Sequence, residues 1–172
     1  MELLKRFRQG DVEAFEALFR QFQGDVYGWI VRIVRDPGIA EDLTLETFWR
    51  IYRARARFDS DAPFGAWARR IATNLAIDHL RHKRPELELP EQVPHPHTPD
   101  PVLRHERRGQ IADAFRRLPV KLRVAATLAL IEERPYPEIA AALGKPVGTV
   151  RVSVFRAVRI LRKRLNRMGM KS

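Results

Sequence analysis

Thr149, Arg151, Ser153, Arg156 and Arg159 crowd into one short stretch, and their chemistry suits binding a polyanion rather than breaking a bond. A guanidinium can grip guanine O6 and N7 as a fork or hold a phosphate, and a hydroxyl can reach the same backbone oxygens. Val152 and Phe155 interrupt the series as apolar neighbours, and the Val152 side chain has no hydrogen bond to donate. A second set, Trp67, Arg70 and Asn74, joins an aromatic to a cation and an amide. Such a trio can stack a base, hold the adjacent phosphate and pair with the base edge. The alternative is that Trp67 is ordinary core and the arginine faces solvent. A third set, Asp42, Leu45, Glu46, Trp49 and Arg53, places two large apolar groups among charges. An apolar patch rimmed by charge marks a protein contact, unless Trp49 folds back over the edge of its own domain. Asp42 and Glu46 could also serve a metal-dependent nuclease, but no His or Asp partner accompanies them in an evident pocket. No phosphate-binding Gly-rich Lys-Ser/Thr loop is present. The sequence implies no catalytic residue, no metal site and no cofactor.

The residues around the first set predict a helix-turn-helix. A short apolar helix, Ile139 to Leu143, breaks at Gly144, where a left-handed turn residue is easily placed. Pro146 fits the first turn of the next helix. That helix carries Val147, Val150, Val154, Ala157, Leu161 and Leu165 at spacings of three and four, with the cations on its other faces. Ala140 and Gly148 are small where the two helices would cross. A basic second helix in this arrangement can enter a DNA major groove; a plain helical hairpin with a solvated basic face is the alternative.

Upstream, strand signals are almost absent. Asp11 can cap a helix containing Val12, Phe15, Leu18, Phe19 and Phe22, closed by Gly24. A second helix, Val26 to Val34, stops at Asp36-Pro37-Gly38. The third, Ile39 to about Arg57, buries Ala40, Leu43, Thr47, Phe48 and Ile51. After a loop from Phe58 to Pro63, a fourth runs from Phe64 to about Lys83. Its inward residues are Phe64, Ala68, Ile71, Ala72 and Leu75, and its outward ones Arg69, Arg70, Thr73, Asn74, Asp78 and Arg81. Residues 1–84 could thus close one small core of the marginal kind. From Pro85 to Pro101 the chain has six prolines and no basic residue. That composition predicts an extended, semi-rigid linker, assigned to residues 85–103. His95 and His97 within it are weak evidence for a metal. Residues 104–172 then carry a helix with Ile111, Ala114, Phe115 and Leu118, another from about Lys121 to Ile131, and the helix-turn-helix. The expected fold is all-α: two small helical domains joined by a Pro-rich linker, the second containing the helix-turn-helix.

A formal charge of +11 across 172 residues suits a polyanionic partner. The absence of cysteine excludes disulfides and thiolate metal sites. The N-terminus turns charged before an apolar run develops, and no stretch approaches the roughly twenty apolar residues of a membrane span. The expectation is a cytoplasmic protein with no membrane span.

Four segments together, AFEALFRQF (Ala14 to Phe22), DPGIAEDLTLETFWRIY (Asp36 to Tyr52), FGAWARRIATNLAIDHLRHKR (Phe64 to Arg84) and YPEIAAALGKPVGTV (Tyr136 to Val150), resemble an extracytoplasmic-function sigma factor of bacterial RNA polymerase. The resemblance implies that residues 1–84 bind the polymerase clamp helices through Asp42, Leu45, Glu46, Trp49 and Arg53. It implies that Asp61, Phe64, Trp67, Arg70, Asn74 and Asp78 open and hold the minus-ten promoter element. Thr149, Arg151, Val152, Ser153, Phe155, Arg156 and Arg159 would read the minus-thirty-five element, in a domain that also touches the polymerase flap. Many members of the family are held by an anti-sigma factor, so a separate inhibitor joins core polymerase and promoter DNA among the expected partners. Three positions depart from the family pattern: Leu45 stands where Gln is frequent, and Val152 and Ser153 stand where Ser-Arg is common. A one-component regulator, binding duplex operator as a dimer through its helix-turn-helix, is the rival reading.

Overall fold

The computed structural model describes residues 2–82 and 101–169. Their order is α1 (Glu2–Arg8), α2 (Val12–Val34), α3 (Pro37–Ala54) with a 3-10 turn (Arg55–Arg57), α4 (Phe64–His82), α5 (Pro101–Arg116), α6 (Val120–Ala126), α7 (Tyr136–Leu143) and α8 (Val147–Arg167). Among the described residues there is no strand, as the spacing predicts. The predicted extended linker, with His95 and His97, lies outside the described residues apart from its last three positions. Residues 101–103 belong to α5, which begins at Pro101.

Local chemistry sets most boundaries. The Asp11 carboxylate accepts from the Ala14 N–H at 3.1 Å and starts α2. Asp36 caps α3 by accepting from the Ile39 N–H at 3.0 Å, with Pro37 in the first turn. Arg35, between those helices, adopts the left-handed conformation that ends α2. Gly24 does not close a helix: α2 is one helix of 23 residues where two are expected from sequence. Glycine in a helix interior costs about 1 kcal/mol. The burial of Leu18, Val26, Trp29 and Ile30 on either side outweighs that cost. The helix α1 is not among the expected elements, although Leu3, Leu4 and Phe7 stand at helical spacing; its Phe7 is fully buried. Phe7 meets Phe64 at 5.8 Å and Phe58 at 6.3 Å between ring centroids, both edge-on.

The fold is all-α in two helical blocks, as expected, and the blocks pack against each other. The main core does not stop at the first block: Phe7, Trp29, Ile30, Phe48 and Ile77 share one buried cluster with Val124, Leu128, Ile139 and Ala140 of the second. Helix α4 packs directly against α7 and α6. A smaller cluster, Ala114, Leu118, Ala126, Ala157 and Leu161, joins α5, α6 and α8 within the second block. After Ala126 the helix widens into a π turn through Ile131, which also touches α2.

Polar groups tie the two blocks. Arg69 pairs with Glu138, and Arg32 and Arg35 reach the two Glu132 oxygens at 3.4 and 3.0 Å. Trp29 sits at the seam, its ring 5.5 Å from the Arg69 guanidinium and 5.8 Å from that of Arg134. Its indole N–H donates to the Thr73 hydroxyl at 2.8 Å, and that hydroxyl donates to the Arg69 carbonyl at 2.7 Å. Thr73, expected on the outward face of its helix, is therefore a buried anchor.

Candidate polymerase and nucleic-acid interfaces

On α3, the buried stripe Ala40, Thr44, Thr47, Phe48 and Ile51 turns the opposite face outward. The Thr44 and Thr47 hydroxyls donate to the carbonyls of Ala40 and Leu43, so neither is left unpaired inside. Leu45 is 61% and Trp49 56% exposed, with Asp42 and Arg53 also exposed beside them. Trp49 therefore does not fold back over the domain. Glu46 is partly committed within its own helix, accepting from the Arg50 Nε at 2.8 Å. The result is an apolar pair framed by charge on a rigid helix.

The α4 face divides largely as its spacing predicts, and departs from what the resemblance implies at Phe64. Phe64 is buried among Phe7, Phe22 and Phe58 and presents no surface to DNA in this conformation. Trp67 is half-buried, its ring 4.7 Å from Phe58 and 5.9 Å from Phe64, so the core reading of this residue accounts for its packing. Arg70, Asn74 and Asp78 remain as an exposed line, one helical turn apart. Asp61 is exposed in the preceding loop, its backbone N–H donating to the Asp59 carboxylate at 3.0 Å. Gly144 explains where Arg70 rests. A Cβ built at Gly144 would lie 3.0 Å from the Arg70 guanidinium, and the residue has φ +61°. Glycine thus serves both the left-handed turn and the close approach of the arginine.

The helix-turn-helix forms, with α7 beginning at Tyr136, three residues before its expected start. Val150, Val154, Ala157 and Leu161 are buried on α8. Thr149, Arg151, Val152, Phe155, Arg156 and Arg159 are exposed. Ser153 is half-buried, and its hydroxyl donates back to the Thr149 carbonyl at 3.0 Å. The Arg151 guanidinium lies 5.8 Å from the Tyr136 ring centroid, which steadies it against α7. Sequence reasoning missed an open groove of about 580 Å³ between the α5–α6 turn and α8, lined by Arg117, Leu118, Pro119, Ile160, Lys163, Arg164 and Arg167. Its residues lie far apart in sequence, and the packing of Leu118 against α8 brings them together. Among the described residues there is no cluster of three or more metal-ligating side chains. No described helix is long and apolar enough to cross a membrane.

Two family models match the chain: Sigma-70 region 2 over residues 18–86 and Sigma-70, region 4 over residues 108–161. The two matches thus define a promoter-specificity factor of the sigma-70 class. The chain is 34% identical to the RNA polymerase sigma-H factor of Pseudomonas aeruginosa, over 95% of this chain and 92% of that protein. In fold it is similar to CnrH, solved in complex with the cytosolic domain of CnrY, at a TM-score of 0.62 and 24% identity over 95% of both chains. It is also similar to the sigma factor RpoE of Bartonella quintana, solved with the anti-sigma factor NepR. There the TM-score is 0.55 and the identity 19%, over 88% of this chain and 96% of that one. The chain belongs to the extracytoplasmic-function sigma factors of RNA polymerase. It directs promoter-specific transcription, and the one-component regulator is not favoured. Sigma factors are in general non-enzymatic initiation factors.

Proposed function

We propose that α3 seats this sigma factor on core polymerase, that α8 reads the minus-thirty-five element, and that the Arg70–Asn74–Asp78 line of α4 holds opened minus-ten DNA. The observation that carries the reading is the exposed Leu45–Trp49 pair in the same chain as a basic helix-turn-helix. A dimeric duplex-operator regulator could bury such a pair between its own subunits, so binding to core polymerase is what separates the two readings. Flipping a base costs a few kcal/mol, and a contact to an edge already paired in duplex favours the open strand selectively. Asn74 can donate and accept at such an edge while Arg70 holds the neighbouring phosphate.

The two promoter elements stand, by their names, about 25 base pairs and hence about 85 Å apart. With α4 against α7, one molecule cannot reach both at once, so the blocks separate on the promoter and Arg70 leaves Gly144. A separate anti-sigma factor, of the kind that RpoE was solved with, is the further partner we propose. The protein works beside polymerase in the cytoplasm and lends it specificity without catalysing a reaction. The test is co-elution of the purified chain with core polymerase, followed by start-site mapping of the reconstituted holoenzyme. A dimer that binds duplex DNA tightly alone and ignores core polymerase would refute the reading.

A further inference from the structure

Two apolar side chains stand exposed on α8 among polar and cationic ones. Val152 is 49% and Phe155 64% exposed. They are neighbours at i and i+3, about 5–6 Å apart at Cβ on a helix. The buried face of α8 is already occupied by Val150, Val154, Ala157 and Leu161, so neither is needed to hold the domain together. Thr149, Arg151, Arg156 and Arg159 surround them, all exposed.

Their place along the helix matters as much as their exposure. Val152 and Phe155 are the sixth and ninth residues of α8, in the half that a helix-turn-helix points at base edges. From Val147 to Phe155 the helix rises about 12 Å, which matches the width of the major groove. Neither side chain can donate to or accept from a base or a phosphate. The one apolar group that base edges display in the major groove is the thymine 5-methyl. We infer that Val152 and Phe155 form an apolar patch that reads thymine methyl groups in the upstream promoter element, between arginines that hold guanine or phosphate. The inference rests on the proposed assignment of α8 to that element. It also gives the departure at Val152 a consequence: a position that hydrogen-bonds when it is Ser discriminates by methyl contact here.

The experiment uses holoenzyme reconstituted with core polymerase and a pool of duplex DNA whose upstream segment is randomised. The enriched element should contain thymine at one or two fixed positions, on either strand. Replacing each such thymine by deoxyuridine deletes only the methyl group and should weaken holoenzyme binding about fourfold per methyl. The Val152→Ser/Phe155→Ala variant should bind the thymine and uracil forms equally, and Val152→Ser alone should lose part of the discrimination. Equal binding of both forms by the unaltered holoenzyme overturns the inference while leaving the assignment of α8 intact. Full discrimination retained by the double variant overturns it too. A pool with no upstream enrichment at all overturns the assignment of α8 and the inference with it.

Discussion

Replacing Leu45 and Trp49 together with Ala should separate binding from folding. Full burial of such a side chain is worth about 1.5–3 kcal/mol. With 61% and 56% of these residues left in solvent, folding recovers less than half of that from each. The double substitution should therefore cost about 1–2 kcal/mol of stability, a fall of several degrees in melting temperature for a chain of this size. At an interface with core polymerase the same atoms would be buried, and a central aromatic there is worth 2 kcal/mol or more. Loss of the tryptophan alone should then raise Kd about 30-fold, and the leucine should add a further severalfold. Titration of labelled protein with core polymerase, followed by anisotropy, reads the affinity; circular dichroism reads the fold. Glu16→Ala is the internal control, because that carboxylate sits in an exposed pair with Arg20 on α2, outside the Asp42–Arg53 set, and should change affinity by less than about 1 kcal/mol. An unchanged Kd in a folded double variant would refute the assignment of this face, as would a collapse of the helical signal.

Asn74→Ala should lower open-complex formation on a duplex promoter roughly threefold to tenfold, the worth of one hydrogen bond, while core binding is unchanged. Permanganate reactivity of the melted thymines measures it. Glu138→Ala removes the partner of Arg69 at the seam between α4 and α7. For a pair this partly exposed, about 1 kcal/mol is at stake, and the packed-to-separated ratio should fall about fivefold, read by energy transfer between dyes on α3 and α8. Asp11 has its carboxyl held below the ordinary carboxylate value, first by the Ala14 N–H and then by Arg6. Its capping contribution is complete above that ordinary value and is lost as the pH falls through the depressed one. The carboxyl carbon shift of Asp11 should titrate below that of an unstructured aspartate, and an unshifted titration would contradict the cap.

Much of this molecule is written locally. Asp36-Pro37 starts α3 wherever the chain goes, because the cap and the proline act within one turn. Gly144 followed by the stripe from Val147 to Leu165 dictates the helix-turn-helix, since a spacing of three and four leaves the arginines nowhere but outside. The exposure of Leu45 and Trp49 follows from the same arithmetic on α3, although periodicity alone could not say whether Trp49 bends back. Tertiary structure decided what depends on partners distant in sequence. Nothing near Gly24 announces a continuous helix; the burial of residues on both sides of it does. Nothing near Thr73 tells that its hydroxyl meets Trp29, 44 residues earlier. Periodicity turns Phe64 inward, but whether Trp67 is core or free is decided only where its ring meets Phe58 and Phe64. The packing of α4 on α7 was the least legible feature. Glu138 and Arg69 are each ordinary surface residues in their own helices, and only the approach of the two blocks turns them into a pair. Local sequence sets which face of a helix is apolar, but which other face covers it depends on the summed free energy of the whole chain.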